Sequence, residues 1–296
     1  MPPSSTGARV AATVFSLAGL VSLAPAHAET RSVAHQEQQQ QQPEPTQSGV
    51  EQGTRAAVDR PGEQPGFYGR LGIGIDWPES SRYNDANCSS TAPPALFGCV
   101  DGNDGRPLGA YGNFDATPVL DAGLGYRING WLRAEALLSW RTNMDFSGQS
   151  NFLGRAGSNQ RVSGMVSSMA GLGIAYVDLP RVGKVRPFLG AGLGVARNRM
   201  GMMTYAFPNL DPTATTTTPA GSNIDFAFLL TAGVSVPLSN RFDLDLAYRY
   251  SDLGQVSTDS GTATVVRGGE PKSVDIGGTE ARLQSHGVVL SLRYTF

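Results

Sequence analysis

The chain is 296 residues long, with 23 Lys and Arg against 25 Asp and Glu and a formal charge of −2. That near-balance excludes a nucleic-acid binder working through a basic surface. Beyond the N-terminal apolar run no stretch is long and apolar enough for a transmembrane helix. A spanning barrel stays open, because barrels hide their apolar residues in alternation.

The N-terminal stretch "MPPSSTGARVAATVFSLAGLVSLAPAHAET" carries one charge, Arg9, then an apolar run from Val10 to Leu23, with small residues at Ala26 and Ala28. These are the flanks of a secretory signal, so residues 1–28 are expected to be a signal peptide cleaved after Ala28. The first cysteine is Cys88, which argues against a lipobox anchor. Residues 29–65 include "HQEQQQQQPEPTQSGVEQG". Such Gln- and Pro-rich sequence buries too little apolar area to order, so a disordered periplasmic spacer is expected. Residues 66–296 are one domain's worth of chain.

Within 66–296, alternation with a period of two recurs. "GFYGRLGIGID" (Gly66–Asp76) sets Leu71, Ile73 and Ile75 against Tyr68, Arg70, Gly72, Gly74 and Asp76. "VLDAGLGYR" (Val119–Arg127) sets Leu120, Leu124 and Tyr126 against Asp121 and Arg127. "WLRAEALLSWR" (Trp131–Arg141) sets Leu132, Leu138 and Trp140 against Arg133, Glu135 and Arg141. "VSSMAGLGIAYV" (Val166–Val177) is read with Leu172, Ile174 and Tyr176 facing out and Gly171 and Gly173 facing in. "PFLGAGLGVAR" (Pro187–Arg197) and "DFAFLLTAGVSV" (Asp225–Val236) follow the same rule. So do "RFDLDLAYRYS" (Arg241–Ser251), with Asp243, Asp245 and Arg249 on its polar side, and "GVVLSLRYTF" (Gly287–Phe296), with Arg293.

Short connections ("ING", "DLPRVGKVR", "PLSNR") alternate strictly with long ones, from Trp77 to Pro118, Thr142 to Arg161, Asn198 to Asn223 and Asp252 to Leu283. All long loops therefore lie at one end. The expected fold is all-β: an eight-stranded antiparallel up-and-down transmembrane β-barrel with short periplasmic turns and four long extracellular loops, in the Gram-negative outer membrane. A cation on the lipid face at mid-bilayer costs ~2–4 kcal/mol. The arginines and acids of the polar faces are thus expected inside, as a packed network of Arg70, Asp121, Arg127, Arg133, Glu135, Asp243, Asp245, Arg249 and Arg293, with Asp76 and Arg141 on the same faces. Inward glycines (Gly72, Gly74, Gly171, Gly173, Gly190, Gly192) would make room for the bulky groups. A narrow porin-like channel through these charges is the alternative. Tyr126, Tyr176, Phe242, Tyr294 and Phe296 at the short-turn end, and Trp140, Tyr248 and Tyr250 at the other, make two aromatic girdles.

Cys88 and Cys99, in "NCSSTAPPALFGC", are expected to form a disulfide, worth on the order of 3 kcal/mol. A lipid A-modifying enzyme would need a serine and histidine together at the outer rim. His286 and Ser285 point to opposite faces, so no catalytic residue, cofactor or metal site is expected.

Three stretches, "RPFLGAGLGVAR" (Arg186–Arg197), "LDLAYRYSDLG" (Leu244–Gly254) and "VVLSLRYTF" (Val288–Phe296), resemble the small outer-membrane barrels related to the Opa adhesins and the major surface proteins of alphaproteobacteria. The resemblance implies that Tyr294 and Phe296 are the signal read by the outer-membrane assembly machinery. The other partners expected are outer-membrane lipid and lipopolysaccharide, and a surface ligand or host molecule on the loops; the chain is expected to be a monomer that binds no nucleic acid. Function is expected in the polar loops, on a non-enzymatic scaffold serving envelope integrity or adhesion.

Overall fold

A computed structural model describes residues 64–296 apart from 155, 158 and 159; the expected signal peptide and the Gln-rich tail up to residue 63 lie outside the described residues. The described chain has no helix. Its strands are β1 (Gly66–Pro78), β2 (Ser81–Asp85), β3 (Gly109–Phe114), β4 (Thr117–Arg127), β5 (Leu132–Asn151), β6 (Gln160–Asp178) and β7 (Arg186–Met200). They continue with β8 (Thr204–Ala206), β9 (Thr215–Thr217), β10 (Gly221–Pro237), β11 (Phe242–Ser257), β12 (Gly261–Arg267), β13 (Glu270–Ile276) and β14 (Thr279–Thr295).

Eight of these close a ring in the order β1, β4, β5, β6, β7, β10, β11, β14, every pair antiparallel. The β1–β14 seam runs from Tyr68 opposite Thr295 to Pro78 opposite Ser285. Alternation assigns the faces. Arg133 and Arg141 are 1 % and 0 % exposed, whereas Leu71 and Leu124 are 70 % and 69 % exposed. Charges thus line the inside, and aliphatic side chains cover the outside, the arrangement a bilayer requires. Trp140, Met169, Arg197 and Ile224 stand level with one another around the wall. Below this row β7 presents Leu189, Leu193 and Val195 outward; above it the outward residue is Arg199.

β6 is in the opposite phase to that expected. Leu172, Ile174 and Tyr176 are buried inside, and Gly171 and Gly173 face out. The inward ring of Tyr176 fits because Gly190 stands opposite it; a Cβ on Gly190 would come within 2.7 Å of that ring. The same phase carries Asp178 into the barrel, where the other would leave a carboxylate outside. Tyr176 therefore does not belong to the outer girdle.

The ring does not stop at the membrane. The stretch from Thr142 to Arg161, expected as a loop, is strand on both sides of a short connection at 152–159. β3 pairs with the upper part of β5, and β2 with the start of β14, so these two strands replace β4 and β1 in an upward extension of the wall. On the far side of β5 and β6 from β3, β8 and β9 extend the wall beside β6, and β12 and β13 add a hairpin. We call this extension the head.

Candidate functional site: a charged interior and an apolar head

Two bulges decide what the interior contains at each level. In β5 the register shifts between Arg141 and Met144, with Asn143 at φ 55°. Below the bulge Arg133, Glu135, Ser139 and Arg141 point inward; above it Met144 and Phe146 do. In β11 the shift lies between Asp252 and Gln255, with Gly254 at φ 74°. The carbonyls freed there are taken by the Asn198 side-chain amide, which donates to Leu253 O (2.8 Å) and Gln255 O (2.7 Å). One extra residue in a strand reverses its faces.

Below the bulges the interior is a stack of ion pairs. Asp76 accepts from Arg141 Nε (2.5 Å) and from Arg249 Nη2 (3.1 Å), and Arg249 Nη1 also reaches Asp121 (2.9 Å). Ser139 donates to Asp121 (2.7 Å). In the middle, Arg70 pairs with Glu135 (2.8 Å) and its Nη1 donates to Ser291 (3.4 Å). At the short-turn end Arg127 and Arg133 share Asp178 (2.8 and 2.7 Å), and Arg293 meets Asp243 (3.1 Å) and Asp245 (3.3 Å). The Arg133 guanidinium lies over the rings of Tyr176 (4.7 Å) and Tyr68 (5.8 Å). Six arginines thus face six carboxylates: Asp76, Asp121, Glu135, Asp178, Asp243 and Asp245. Asp178 is the member that sequence reasoning missed. It was read as part of a connection, yet it stands two residues beyond Tyr176 and shares its face.

Above the bulges the interior is apolar. Tyr83 packs edge-on against Phe146 (4.9 Å between centroids), and its hydroxyl meets Met200 Sδ (3.4 Å). Phe97 stacks on Phe152 (5.2 Å) and meets Tyr205 edge-on (6.0 Å). Burial pushes the Tyr83 and Tyr205 phenols well above their ordinary range. Phe97 enters this core because the Asp85 carboxylate accepts the backbone N–H groups of Leu96 (2.8 Å), Phe97 (3.0 Å) and Gly98 (2.7 Å). The disulfide between Cys88 and Cys99 closes the same loop.

On the outer wall, His286 bridges Tyr248 Oη (2.5 Å, at Nδ1) and Glu79 Oε1 (2.8 Å, at Nε2), tying β11, β14 and the end of β1 together. Ser285 points inside, 3.5 Å from Asp76, so this serine and histidine do not meet. Tyr294 and Phe296 lie at the short-turn end with ring centroids 5.4 Å apart, and Phe296 N–H donates to Phe67 O (3.1 Å).

A closed ring of eight antiparallel strands, apolar outside and ionic within, defines an integral outer-membrane β-barrel. The chain belongs to the outer membrane protein beta-barrel domain family, whose model matches residues 53–296, and it is a protein of the Gram-negative outer membrane. Uncharacterized proteins of Brucella abortus and Brucella suis are 35 % identical to it over 140 residues, which is 43 % of this chain and 49 % of theirs. The chain thus spans about half the length of the curated relatives it matches. Among solved structures, the outer membrane protease OmpT of Escherichia coli is similar with a TM-score of 0.51 at 8 % identity, covering 78 % of this chain and 97 % of its own. OprG of Pseudomonas aeruginosa is similar with a TM-score of 0.45 at 13 % identity, covering 79 % and 97 %. The likeness to OmpT shows the fold alone.

Proposed function

We propose that this protein is a non-conducting, non-enzymatic barrel that anchors a folded head outside the cell for ligand contact or adhesion, in the manner of the Opa-like and alphaproteobacterial surface proteins its sequence resembles. In this reading the short turns face the periplasm and the head faces the medium. The observation that carries it is the double closure of the interior. Ion pairs fill the membrane level, where an eight-stranded ring is just wide enough for side chains, and an apolar core fills the head above. A permeant ion would have to disperse both. A rigid, membrane-anchored head with polar walls is instead suited to binding.

The test is a folded-versus-boiled gel run beside planar-bilayer conductance of the refolded protein. The expected result is a mobility shift without current. Stable current steps would sink the proposal in favour of the narrow-channel reading.

A further inference from the structure

The head carries a cleft that the barrel does not need. β3, β5, β6 and β8 form a continuous wall in which each strand is paired on both sides. Their inward residues feed the apolar core. Their outward residues fall in level rows. Tyr111, Gln149 and Arg161 stand side by side; one step nearer the membrane come Asn113, Ser147, Ser163 and Thr204. Over this face lies a cleft of about 1010 Å³. Gly112 and Gly148, opposite one another, contribute backbone to its floor, and a Cβ on either would point inward against Phe146. One side wall is Arg106, held by Asp104 (2.8 Å) and laid over the Tyr111 ring at 4.5 Å. The other is Pro208, Pro212 and Ala214.

Three properties select the occupant. First, the side chains of Asn113, Ser147, Gln149, Arg161 and Ser163 make no hydrogen bond or ion pair to any other described residue, so amides, hydroxyls and a guanidinium converge on one space with their capacity unspent. Second, the lining includes two arginines and no carboxylate; Arg106 is paired with Asp104 beside the cleft, which leaves Arg161 as the cation open to a ligand bearing negative charge. Third, a protein partner lacks what it needs. The floor offers no apolar anchor for a hot spot, since Tyr111 is covered by Arg106 and donates its hydroxyl to Pro107 O (2.7 Å). The wall has no free strand edge for β-addition. Amide and guanidinium forks match adjacent sugar hydroxyls, and a guanidinium pairs in two-point fashion with a carboxylate.

We infer that this cleft binds a short carboxylate-bearing oligosaccharide, with Arg161 taking the carboxylate and Asn113, Gln149, Ser147 and Ser163 the hydroxyls. The inference rests on the proposal that the head faces the medium and serves binding. The experiment separates the two. The full chain in detergent is titrated calorimetrically with tetragalacturonate, its neutral methyl ester and a sulfated tetrasaccharide. In parallel, a Ser163→Cys variant on intact cells is exposed to a membrane-impermeant maleimide.

Tetragalacturonate is expected to bind, with the methyl ester at least tenfold weaker and the sulfated sugar weaker than the carboxylated one. Arg161→Gln is expected to lose at least tenfold while keeping the parent's gel shift. Gln149→Ala, one strand away, should weaken binding by a smaller factor. No binding by the parent, equal binding of the ester, or an unchanged affinity in Arg161→Gln would each overturn the cleft assignment. If the Ser163→Cys variant is labelled on cells in any of those cases, the outward-facing head survives and only the ligand is wrong. If it is not labelled, the outward-facing reading itself fails.

Discussion

The membrane level and the head are one continuous wall built on opposite rules. At the membrane level the inside is ionic and the outside aliphatic; in the head the inside is aromatic and the outside polar. β5 passes through both. Its lower part buries Arg133, Glu135 and Arg141, and its upper part buries Met144 and Phe146. The solvent outside the wall changes from hydrocarbon to water, and each side of the wall changes chemistry with it. What the comparison teaches is that a single inserted residue at 142–143 is enough to exchange the faces of a strand that keeps β6 as its neighbour throughout. Nothing in the backbone hydrogen bonding prefers either arrangement.

If the two levels are separate cores, damage should stay local to each. The largest effect belongs to Arg249, which bridges Asp76 and Asp121 with both carboxylates almost fully buried. Arg249→Leu leaves those charges under-compensated at the membrane level, at a cost of roughly 3–5 kcal/mol. Urea unfolding in detergent micelles should show the whole barrel weakened by that amount. Adding Asp121→Asn should return much of the loss, because the charge left without its partner goes with the arginine while Asp76 keeps Arg141 (2.5 Å). A single mutant that melts like the parent would mean that the ionic stack holds nothing together.

A comparable truncation in the head should behave differently. Phe146 is about 1 % exposed, packed against Tyr83 and Phe114. Phe146→Ala opens a cavity there, costing on the order of 3–5 kcal/mol in a well-packed core. Limited proteolysis is expected to cut the head connections of this variant, with the boiled-versus-unboiled gel shift of the barrel retained. Loss of the shift as well would show the two levels to be one cooperative unit, and the contrast drawn above would be structural but not energetic.

Charge decided what could be read from the sequence. Where an arginine or acid sits deep in the alternation, as at Arg70, Asp121, Glu135, Asp245 or Arg293, the inner face is legible, because a charge facing mid-bilayer hydrocarbon is costly. "MAGLGIAY" in β6 has no charge, and both of its faces are apolar or bare, so its phase was read backwards. The marker was Asp178, just past the point where the strand was taken to end. The head was illegible for a different reason. Tyr83, Phe97, Phe146 and Tyr205 are scattered among Gly, Ser, Thr and Asn in four separate stretches, and only the tertiary fold gathers them. The bulge at 142–143 also broke the period that would have extended β5. Cys88 and Cys99, close in sequence, needed no such context.

The smallest expected effect sharpens the comparison at the polar outside of the head. Asp104 accepts from Asn151 Nδ2 (3.1 Å) and from Arg106 Nε (2.8 Å), and Asn151 in turn accepts from Gly109 N–H (2.9 Å). These bonds, that from Asn151 first, hold the Asp104 carboxyl down at about 2 from its ordinary 3.8. A carboxyl held low in the folded state stabilises that state above its ordinary value and loses the contribution as pH falls through the lowered one. The tie between the first long connection and the tip of β5 should therefore be intact at neutral pH, weaken below about 4 and be gone below about 2. Being solvent-exposed, it should shift local order and leave global stability nearly untouched. The Asn151 side-chain amide resonances report it directly. In the parent their pH titration should have its midpoint near 2, and in Asp104→Asn that step should vanish. A midpoint at the ordinary carboxylate value would mean that Asn151 does not hold Asp104, and that the Arg106 wall of the cleft is loose in solution.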